Sequence, residues 1–124
     1  MQFLTVGKAR DFRNDRMRAF EVSGEEIAVV RIDGRFHAFS NFCTHQREYL
    51  TDGFIIDGQI ICGLHEATYD IETGAVLYGP AYDPLPIYQV RIEGDDVELA
   101  WPDGPEEVSV TSVDHPRDAG AGAP

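Results

Sequence analysis

The sequence predicts an all-β protein built from antiparallel strands. Short runs rich in β-branched and aromatic residues recur along the chain, and turn-forming residues separate them. No stretch shows the apolar period of a convincing helix. The 124 residues, with an apolar fraction of 43%, suffice for one domain around one modest core. An antiparallel β-sandwich or barrel is therefore the expected architecture.

The expected strands follow one another closely, with short turns between them. In chain order, the runs are FLTV, RAFEV, EIAVVRI, RFHAF, FII, QIIC, ATYDI, AVLY, PIYQVRI and VELAW. Two turns are the Asp-Gly pairs at 33–34 and 57–58, which favour the type I′ geometry of a tight hairpin. The only helical candidate is a turn from Ala9 to Phe12.

Two segments do not fit this alternation of short strands and turns. YGPAYDPLP, residues 78–86, holds three prolines and is expected to be a rigid loop, because proline cannot occupy a central strand. Residues 102–124 hold four prolines, three glycines and five acids, which predicts a mostly disordered tail. Within that tail, VSVTSV alternates in the manner of a short edge strand.

Composition excludes several classes of protein. A net charge of −12 argues against nucleic-acid binding, which requires Lys and Arg to neutralise phosphates. No apolar run reaches the ~18 residues of a membrane helix, and the N-terminus lacks the apolar segment of a signal peptide. Two cysteines cannot build a disulfide framework. We therefore expect a cytoplasmic protein with reduced thiols, bound neither to membrane nor to nucleic acid.

The charge is distributed unevenly. Residues 8–18 hold five of the ten basic residues, whereas residues 48–98 hold eleven acids and one base, Arg91. One interpretation is a solvated surface that keeps the protein in solution. The other is a field that steers a basic partner towards the protein. Both interpretations remain open at the level of sequence.

Both cysteines and two of the four histidines form a repeated pattern. Cys43-x-His45 is followed, after sixteen residues, by Cys62-x-x-His65, and each pair follows a predicted strand. Two facing loops would thus offer two thiolates and two imidazoles. His37, in a strand pattern, and His115, in the tail, lack such partners.

Three explanations compete for this pattern. Coincidence is the first, since free cysteines and lone histidines are often structural, but two paired occurrences make it the weakest. A tetrahedral zinc site is the second, although common zinc fingers place both cysteines on one loop and both histidines on a helix. A [2Fe–2S] cluster is the third, with two thiolates on one iron and two imidazoles on the other.

The motif resembles that of the Rieske iron–sulfur domain family, and the similarity extends from about residue 2 to residue 101. The stretches that carry it are FEVSGEEIAVVRIDGRFHAFSNFCTH, CGLHEATYDIETG and GPAYDPLPIYQVRIEGDDVEL. The resemblance implies three antiparallel sheets with the cluster-binding loops at one tip. It implies a Rieske [2Fe–2S] domain at 1–101, an unmatched tail at 102–124, and one cluster per chain. The implied ligands are Cys43, His45, Cys62 and His65.

The resemblance also assigns residues around the cluster, and some depart from the family pattern. The implied neighbours are Gln46, Leu64, Ala67, Tyr69 and Pro80. The bracing cysteines of high-potential members would fall at Glu48 and Leu64, so no disulfide is possible here. Ala67 stands where such members have a serine hydroxyl donor, whereas Tyr69 keeps a hydroxyl for a ligand sulfur. Glu66 and Gly63 also replace the usual Gly and Pro beside the second loop's ligands.

The function that the resemblance implies is one-electron transfer. A Rieske ferredoxin takes electrons from a flavoprotein NAD(P)H reductase and delivers them to a terminal ring-hydroxylating oxygenase. We expect a monomer that is not catalytic alone, since the chain has no 2-His-1-carboxylate site and no Gly-rich nucleotide loop. The alternative is the small Rieske-like subunit of an NADH-dependent nitrite reductase.

Overall fold

A computed structural model describes residues 1–44, 48–63, 67–79, 83–104 and 107–113. Within these ranges the chain forms twelve short strands and two 3₁₀ turns. The strands are β1 Gln2–Lys8, β2 Arg18–Val22, β3 Glu25–Ile32, β4 Arg35–Ser40, β5 Phe54–Ile56, β6 Gln59–Ile61, β7 Thr68–Asp70, β8 Val76–Tyr78, β9 Ile87–Tyr88, β10 Val90–Glu93, β11 Asp96–Trp101 and β12 Val110–Val113. The 3₁₀ turns are Ala9–Asp11, which was predicted, and Leu50–Asp52, which was not.

The strands form three antiparallel sheets, which confirms the predicted fold class. One sheet has the order β1-β11-β10, the second β12-β2-β3-β4-β9, and the third β5-β6-β7-β8. The third sheet is a meander of consecutive strands, so each of its neighbours is joined by a short connection. No helix among the described residues is long and apolar enough to cross a membrane.

The predicted Asp-Gly turns are present and have the expected backbone geometry. Asp33 and Gly34 have φ values of 50° and 81°, and Asp57 and Gly58 have values of 51° and 74°. A type I′ turn requires positive φ at both central positions, which Asp tolerates and Gly adopts freely. The second of these turns joins β5 to β6 and thereby sets the register that leads to Cys62.

One expectation about strands needs correction, and another is confirmed. PIYQVRI is not one strand, because it is interrupted at Gln89: β9 pairs with β4 in the second sheet, while β10 pairs with β11 in the first. The segment thus crosses between two sheets. The alternating run of the predicted tail does form an edge strand, β12, which pairs with β2. Residues Val110–Val113 of the predicted tail at 102–124 therefore belong to the second sheet. Residues 114–124 lie outside the described part of the chain.

The second sheet separates two hydrophobic cores. Successive residues of β3 alternate between them: Ala28 and Val30 face one core, and Ile27 and Val29 face the other. This alternation follows from the two-residue side-chain period of a strand. The first core also contains both cysteines, together with buried side chains of the third sheet such as Ile60 and Tyr69. The cysteines are therefore held by packed apolar residues rather than by an exposed loop.

Candidate metal centre

The two cysteines begin loops of the same construction. The backbone N–H of Cys43 donates to the carbonyl of Glu48 at 2.9 Å, and that of Cys62 donates to the carbonyl of Ala67 at 2.8 Å. Each bond closes a loop that has one predicted histidine ligand in its sequence. His45 and His65 lie outside the described residues, as do Gln46, Leu64, Glu66 and Pro80 among the predicted neighbours.

The cysteine side chains suit metal ligation. Neither forms a disulfide, and only 4% of Cys43 and 1% of Cys62 is exposed. Each follows a strand: Cys43 comes three residues after β4 ends, and Cys62 directly follows β6. A thiolate is the form of cysteine that binds metal, and a buried thiolate is costly unless a cation or hydrogen-bond donor compensates it. Two buried free cysteines on matching loops therefore fit an iron–sulfur group chemically.

Tyr69 is the described residue that contacts a predicted ligand sulfur with a hydroxyl. It is fully buried on β7, and its Oη lies 3.2 Å from Cys43 Sγ. The same oxygen accepts the backbone N–H of Thr44 at 3.0 Å and lies 2.8 Å from Thr44 Oγ1. Thr44 Oγ1 in turn donates to the carbonyl oxygen of Asp83 at 2.8 Å. Three segments distant in sequence therefore meet beside Cys43.

Burial and the neighbouring thiol keep the Tyr69 hydroxyl protonated. Desolvation and, next, the hydrogen bond with Cys43 raise the pKa of Tyr69 to about 12. Burial disfavours the phenolate because the charged form loses its hydration. The side chain is consequently a hydrogen-bond donor throughout the physiological pH range.

Glu48 connects the two cysteine loops. Its backbone carbonyl accepts from Cys43, and its carboxylate Oε2 accepts from Cys62 Sγ at 3.3 Å. The structure thus places a carboxylate against a predicted ligand sulfur, at a position where the sequence indicated the absence of a bracing cysteine. Ala67, another departure that is described, is buried and offers only its backbone carbonyl to Cys62.

Asn41 is a residue of the site that sequence reasoning missed. It is fully buried, and its Nδ2 donates to Glu26 Oε2 at 2.7 Å and to Thr51 Oγ1 at 3.1 Å. Its Oδ1 accepts the backbone N–H of Thr51 at 2.9 Å, and its backbone carbonyl accepts that of Leu50 at 2.7 Å. Asn41 therefore fastens both ends of the first cysteine loop. In the sequence, the feature that could have indicated this role is a polar residue, Asn41, between aromatic residues in the run FSNF.

Close backbone contact explains the glycine that follows the second cysteine. A Cβ on Gly63 would lie 2.9 Å from the carbonyl oxygen of Asp52, closer than real Cβ atoms approach. Gly63 therefore lets the second cysteine loop pack against the 3₁₀ turn that ends the first. This close contact agrees with the presence of Gly63 at a position where the Rieske family usually has proline.

The remaining histidines are not brought to the cysteines by the described structure. His37 lies on β4 opposite Val30, and burial lowers its pKa. His115 lies outside the described residues. Among the residues that are described, no group of three or more His, Cys, Asp or Glu side chains is arranged to hold a metal. Both predicted histidine ligands are missing from that part of the chain.

Comparisons with known proteins agree with this arrangement. The family model described as the Rieske [2Fe–2S] domain matches residues 2–89. The ferredoxin component of the naphthalene 1,2-dioxygenase system of Pseudomonas aeruginosa is 37% identical over 78 residues, which are 63% of this chain and 75% of that protein.

Solved structures show the same fold. The ferredoxin of carbazole 1,9a-dioxygenase from Nocardioides aromaticivorans IC177 has a TM-score of 0.77 and 30% identity, covering 81% of this chain and 98% of that one. A chain in the complex of reduced oxygenase and oxidised ferredoxin of carbazole 1,9a-dioxygenase has a TM-score of 0.75 and 27% identity, covering 79% and 92%. With its two buried cysteines on matching loops, this chain belongs to the Rieske [2Fe–2S] ferredoxin family and carries a single [2Fe–2S] cluster.

Proposed function

We propose that this protein accepts single electrons from a flavoprotein NAD(P)H reductase and passes them to a terminal ring-hydroxylating oxygenase. The observation that carries the proposal is the pair of buried cysteines, outside any disulfide, on loops closed by the same backbone hydrogen bond. When bound, a [2Fe–2S] group with this ligand set supplies reversible one-electron redox chemistry. The protein transfers electrons and is not catalytic by itself, as in the ferredoxin components that it resembles.

The proposed ligands are Cys43 and Cys62 for one iron and His45 and His65 for the other. The thiolates come from buried positions, so the protein excludes water from the sulfur side of the group. The Tyr69 hydroxyl lies 3.2 Å from Cys43 Sγ, and the backbone around Asn41 holds the first loop in place. These residues orient the ligands and adjust their electron density, which are the means by which a protein sets a redox potential.

The third sheet is the surface that we assign to redox partners. Its strands β6 and β7 flank the second cysteine loop. On its edge strands β5 and β8, 54% of Phe54 and 68% of Tyr78 is exposed. No lysine or arginine occurs between Glu48 and Gln89, and the described part of this sheet and its turns includes the acids Asp57 and Asp70. A partner with an apolar contact region and a basic rim would complement it. The oxygenase–ferredoxin complex of the carbazole system supports an oxygenase as one such partner.

Alternative functions receive less support. The nitrite reductase subunit is not favoured, because the similar proteins are ferredoxin components of dioxygenase systems. A structural zinc module is disfavoured by the match to the Rieske family. We propose a cytoplasmic monomer, since two free thiols suit a reducing compartment.

Replacement of each proposed ligand by alanine tests the assignment. Cys43→Ala, His45→Ala, Cys62→Ala and His65→Ala should each abolish the Rieske EPR signal of the reduced protein, because each removes one of the four bonds to iron. Iron and acid-labile sulfide should fall as well. His37→Ala is the matched control, and it should keep the signal and the metal content. A normal signal in any of the four ligand variants would refute the ligand set.

A further inference from the structure

Two hydroxyl groups form a chain of contacts from a cysteine sulfur to the protein surface. Tyr69 Oη lies 3.2 Å from Cys43 Sγ and 2.8 Å from Thr44 Oγ1. Thr44 Oγ1 lies 2.8 Å from the carbonyl oxygen of Asp83. This series of contacts begins at the buried sulfur of Cys43 and ends at Asp83, an exposed residue of the proline-rich segment. It therefore joins the interior of the site to a surface loop.

The number of hydrogens does not match the number of contacts. A thiolate sulfur that ligates iron and a carbonyl oxygen only accept, and each hydroxyl has one hydrogen to donate. Two hydrogens must therefore serve three contacts. If both pointed outwards, to Cys43 and Asp83, two hydroxyl oxygens 2.8 Å apart would face each other with no hydrogen between them. That arrangement is repulsive, and so is the opposite one, in which both hydrogens lie between the two hydroxyl oxygens. Two arrangements remain.

In the first arrangement both hydrogens point towards the surface. Tyr69 donates to Thr44 Oγ1, and Thr44 donates to the carbonyl of Asp83. In the second arrangement both point towards the sulfur, so Tyr69 donates to Cys43 Sγ and Thr44 donates to Tyr69 Oη. The backbone N–H of Thr44 donates to Tyr69 Oη in either case, at 3.0 Å. The two arrangements differ only by rotation of two hydroxyl hydrogens.

We infer that the redox state of the protein selects between these arrangements and that Thr44 carries the change to Asp83. This inference rests on the proposed ligation by Cys43. When an external one-electron donor reduces the holoprotein, negative charge on the ligand sulfur increases, and a more negative sulfur is a stronger acceptor. Both hydroxyls then turn towards it, and Asp83 loses its bond from Thr44. One electron enters, no proton is taken up, and no covalent bond changes.

The consequence is a reduction-dependent change at the surface beside the site. Asp83 is exposed, and two residues further on the buried Leu85 fastens the segment by donating its N–H to Gly74 at 2.8 Å. Release of the Asp83 carbonyl therefore removes a described contact between this segment and the first cysteine loop. A redox partner that contacts this segment meets different hydrogen-bond acceptors in the oxidised and reduced proteins.

Infrared difference spectroscopy can observe the Asp83 carbonyl alone. Asp83-Pro84 is the single Asp-Pro bond in the sequence, so combined carbonyl-¹³C aspartate and ¹⁵N proline labelling marks one peptide group. In the reduced-minus-oxidised spectrum of the holoprotein, this band should move to higher wavenumber, because a carbonyl that loses a hydrogen bond vibrates faster. An unshifted band in protein with a normal Rieske EPR signal would overturn the inference.

Variants test whether the redox shift of the Asp83 band depends on the two hydroxyl groups or is a general response of the protein to reduction. Thr44→Val should abolish the redox shift of the band because it removes the hydroxyl that donates to Asp83. Tyr69→Phe should abolish the shift as well, because Thr44 then has no second hydroxyl to which it can donate. Thr44→Ser keeps the hydroxyl and should keep the shift. Thr111→Val, on the exposed edge strand β12, is the matched control and should also keep it.

The outcomes distinguish this inference from the proposed function. A shift that persists in Thr44→Val or in Tyr69→Phe would refute the hydroxyl chain while leaving the electron-carrier function intact. If Thr44→Val does not assemble the cluster, Tyr69→Phe and Thr44→Ser still decide the question. A normal EPR signal in Cys43→Ala would instead refute the ligand assignment on which the inference rests.

Discussion

Tyr69 places a hydroxyl against a predicted ligand sulfur, and its replacement should make the potential more negative. Tyr69→Phe removes one donor to Cys43 Sγ, which stabilises the reduced state more than the oxidised one. A net hydrogen bond is worth about 1 kcal/mol, which corresponds to roughly 40 mV for one electron. Voltammetry should show a downward shift of that order from a wild-type value near the low end of the Rieske range, about −150 mV.

The matched control for Tyr69 is Tyr88, whose hydroxyl donates to Glu25 at 3.3 Å in the second sheet. Tyr88→Phe should leave the potential unchanged within a few millivolts, on the order of measurement error. A wild-type midpoint well above zero, or no downward shift in Tyr69→Phe, would show that the hydroxyl does not act on the ligand sulfur.

Glu48 should act in the opposite direction. Its carboxylate oxygen lies 3.3 Å from Cys62 Sγ, so its negative charge disfavours the gain of an electron at the site. Glu48→Gln should therefore raise the midpoint potential. Two charges 4 Å apart interact by about 4 kcal/mol at the protein surface, and solvent screening of this half-buried group leaves roughly 1–2 kcal/mol, or about 40–90 mV.

Voltammetry of Glu48→Gln and of a second charge-removing variant checks this prediction. Glu21→Gln removes one negative charge from an exposed position on β2 and should move the potential far less. Equal shifts in the two variants would mean that only the net charge matters. A downward shift in Glu48→Gln would contradict the predicted role of its carboxylate.

At the scale of elements, Asn41 joins the end of β4 to both sides of the first cysteine loop. Asn41→Ala would remove the hydrogen bonds that the buried Asn41 amide makes with the half-buried Glu26 carboxylate and Thr51 backbone N–H. Removing one side of such contacts costs about 2–3 kcal/mol of the free energy of unfolding. The melting temperature should fall by roughly 5–15 °C, with earlier release of iron on heating.

Thermal unfolding followed by circular dichroism and by visible absorbance measures both effects. Asn14→Ala is the matched control, because Asn14 is exposed, and it should change the free energy of unfolding by less than about 0.5 kcal/mol. If Asn41→Ala and Asn14→Ala melted alike, the buried hydrogen bonds would not hold the loop.

At the scale of the whole molecule, the uneven charge should govern the rate of electron transfer. The described part of the third sheet and its loops includes Asp57, Asp70 and Glu72, and no base lies between Glu48 and Gln89 in the sequence. Attraction between this surface and a basic partner is screened within ~8–10 Å at physiological ionic strength. The second-order rate of reduction by the proposed flavoprotein reductase should fall several-fold, on the order of tenfold at most, from low to high salt.

Stopped-flow reduction at increasing salt provides the measurement. Asp57→Asn should weaken the dependence while preserving the turn, because asparagine accepts the positive φ of 51° at this position. Glu21→Gln removes a charge from another sheet and should leave the dependence unchanged. A rate that does not vary with salt would mean that the acids serve solubility alone.

The sequence by itself determined the features that depend on neighbouring residues. The Asp-Gly turns, the alternating strands and the edge strand in VSVTSV were predicted correctly because turn geometry and side-chain alternation are local properties. The family and its cofactor were also predicted correctly, from the paired Cys/His motif. The four ligands stay a prediction, since two of them lie outside the described residues.

Only the tertiary structure decided which distant residues meet. It divided PIYQVRI between two sheets, because the partner strands β4 and β11 are specified elsewhere in the chain. It brought the Glu48 carboxylate to Cys62 and the Thr44 hydroxyl to Asp83, contacts that span 14 and 39 residues. Such contacts arise from the packing of three sheets around a shared core, and no local pattern of residue types encodes that geometry.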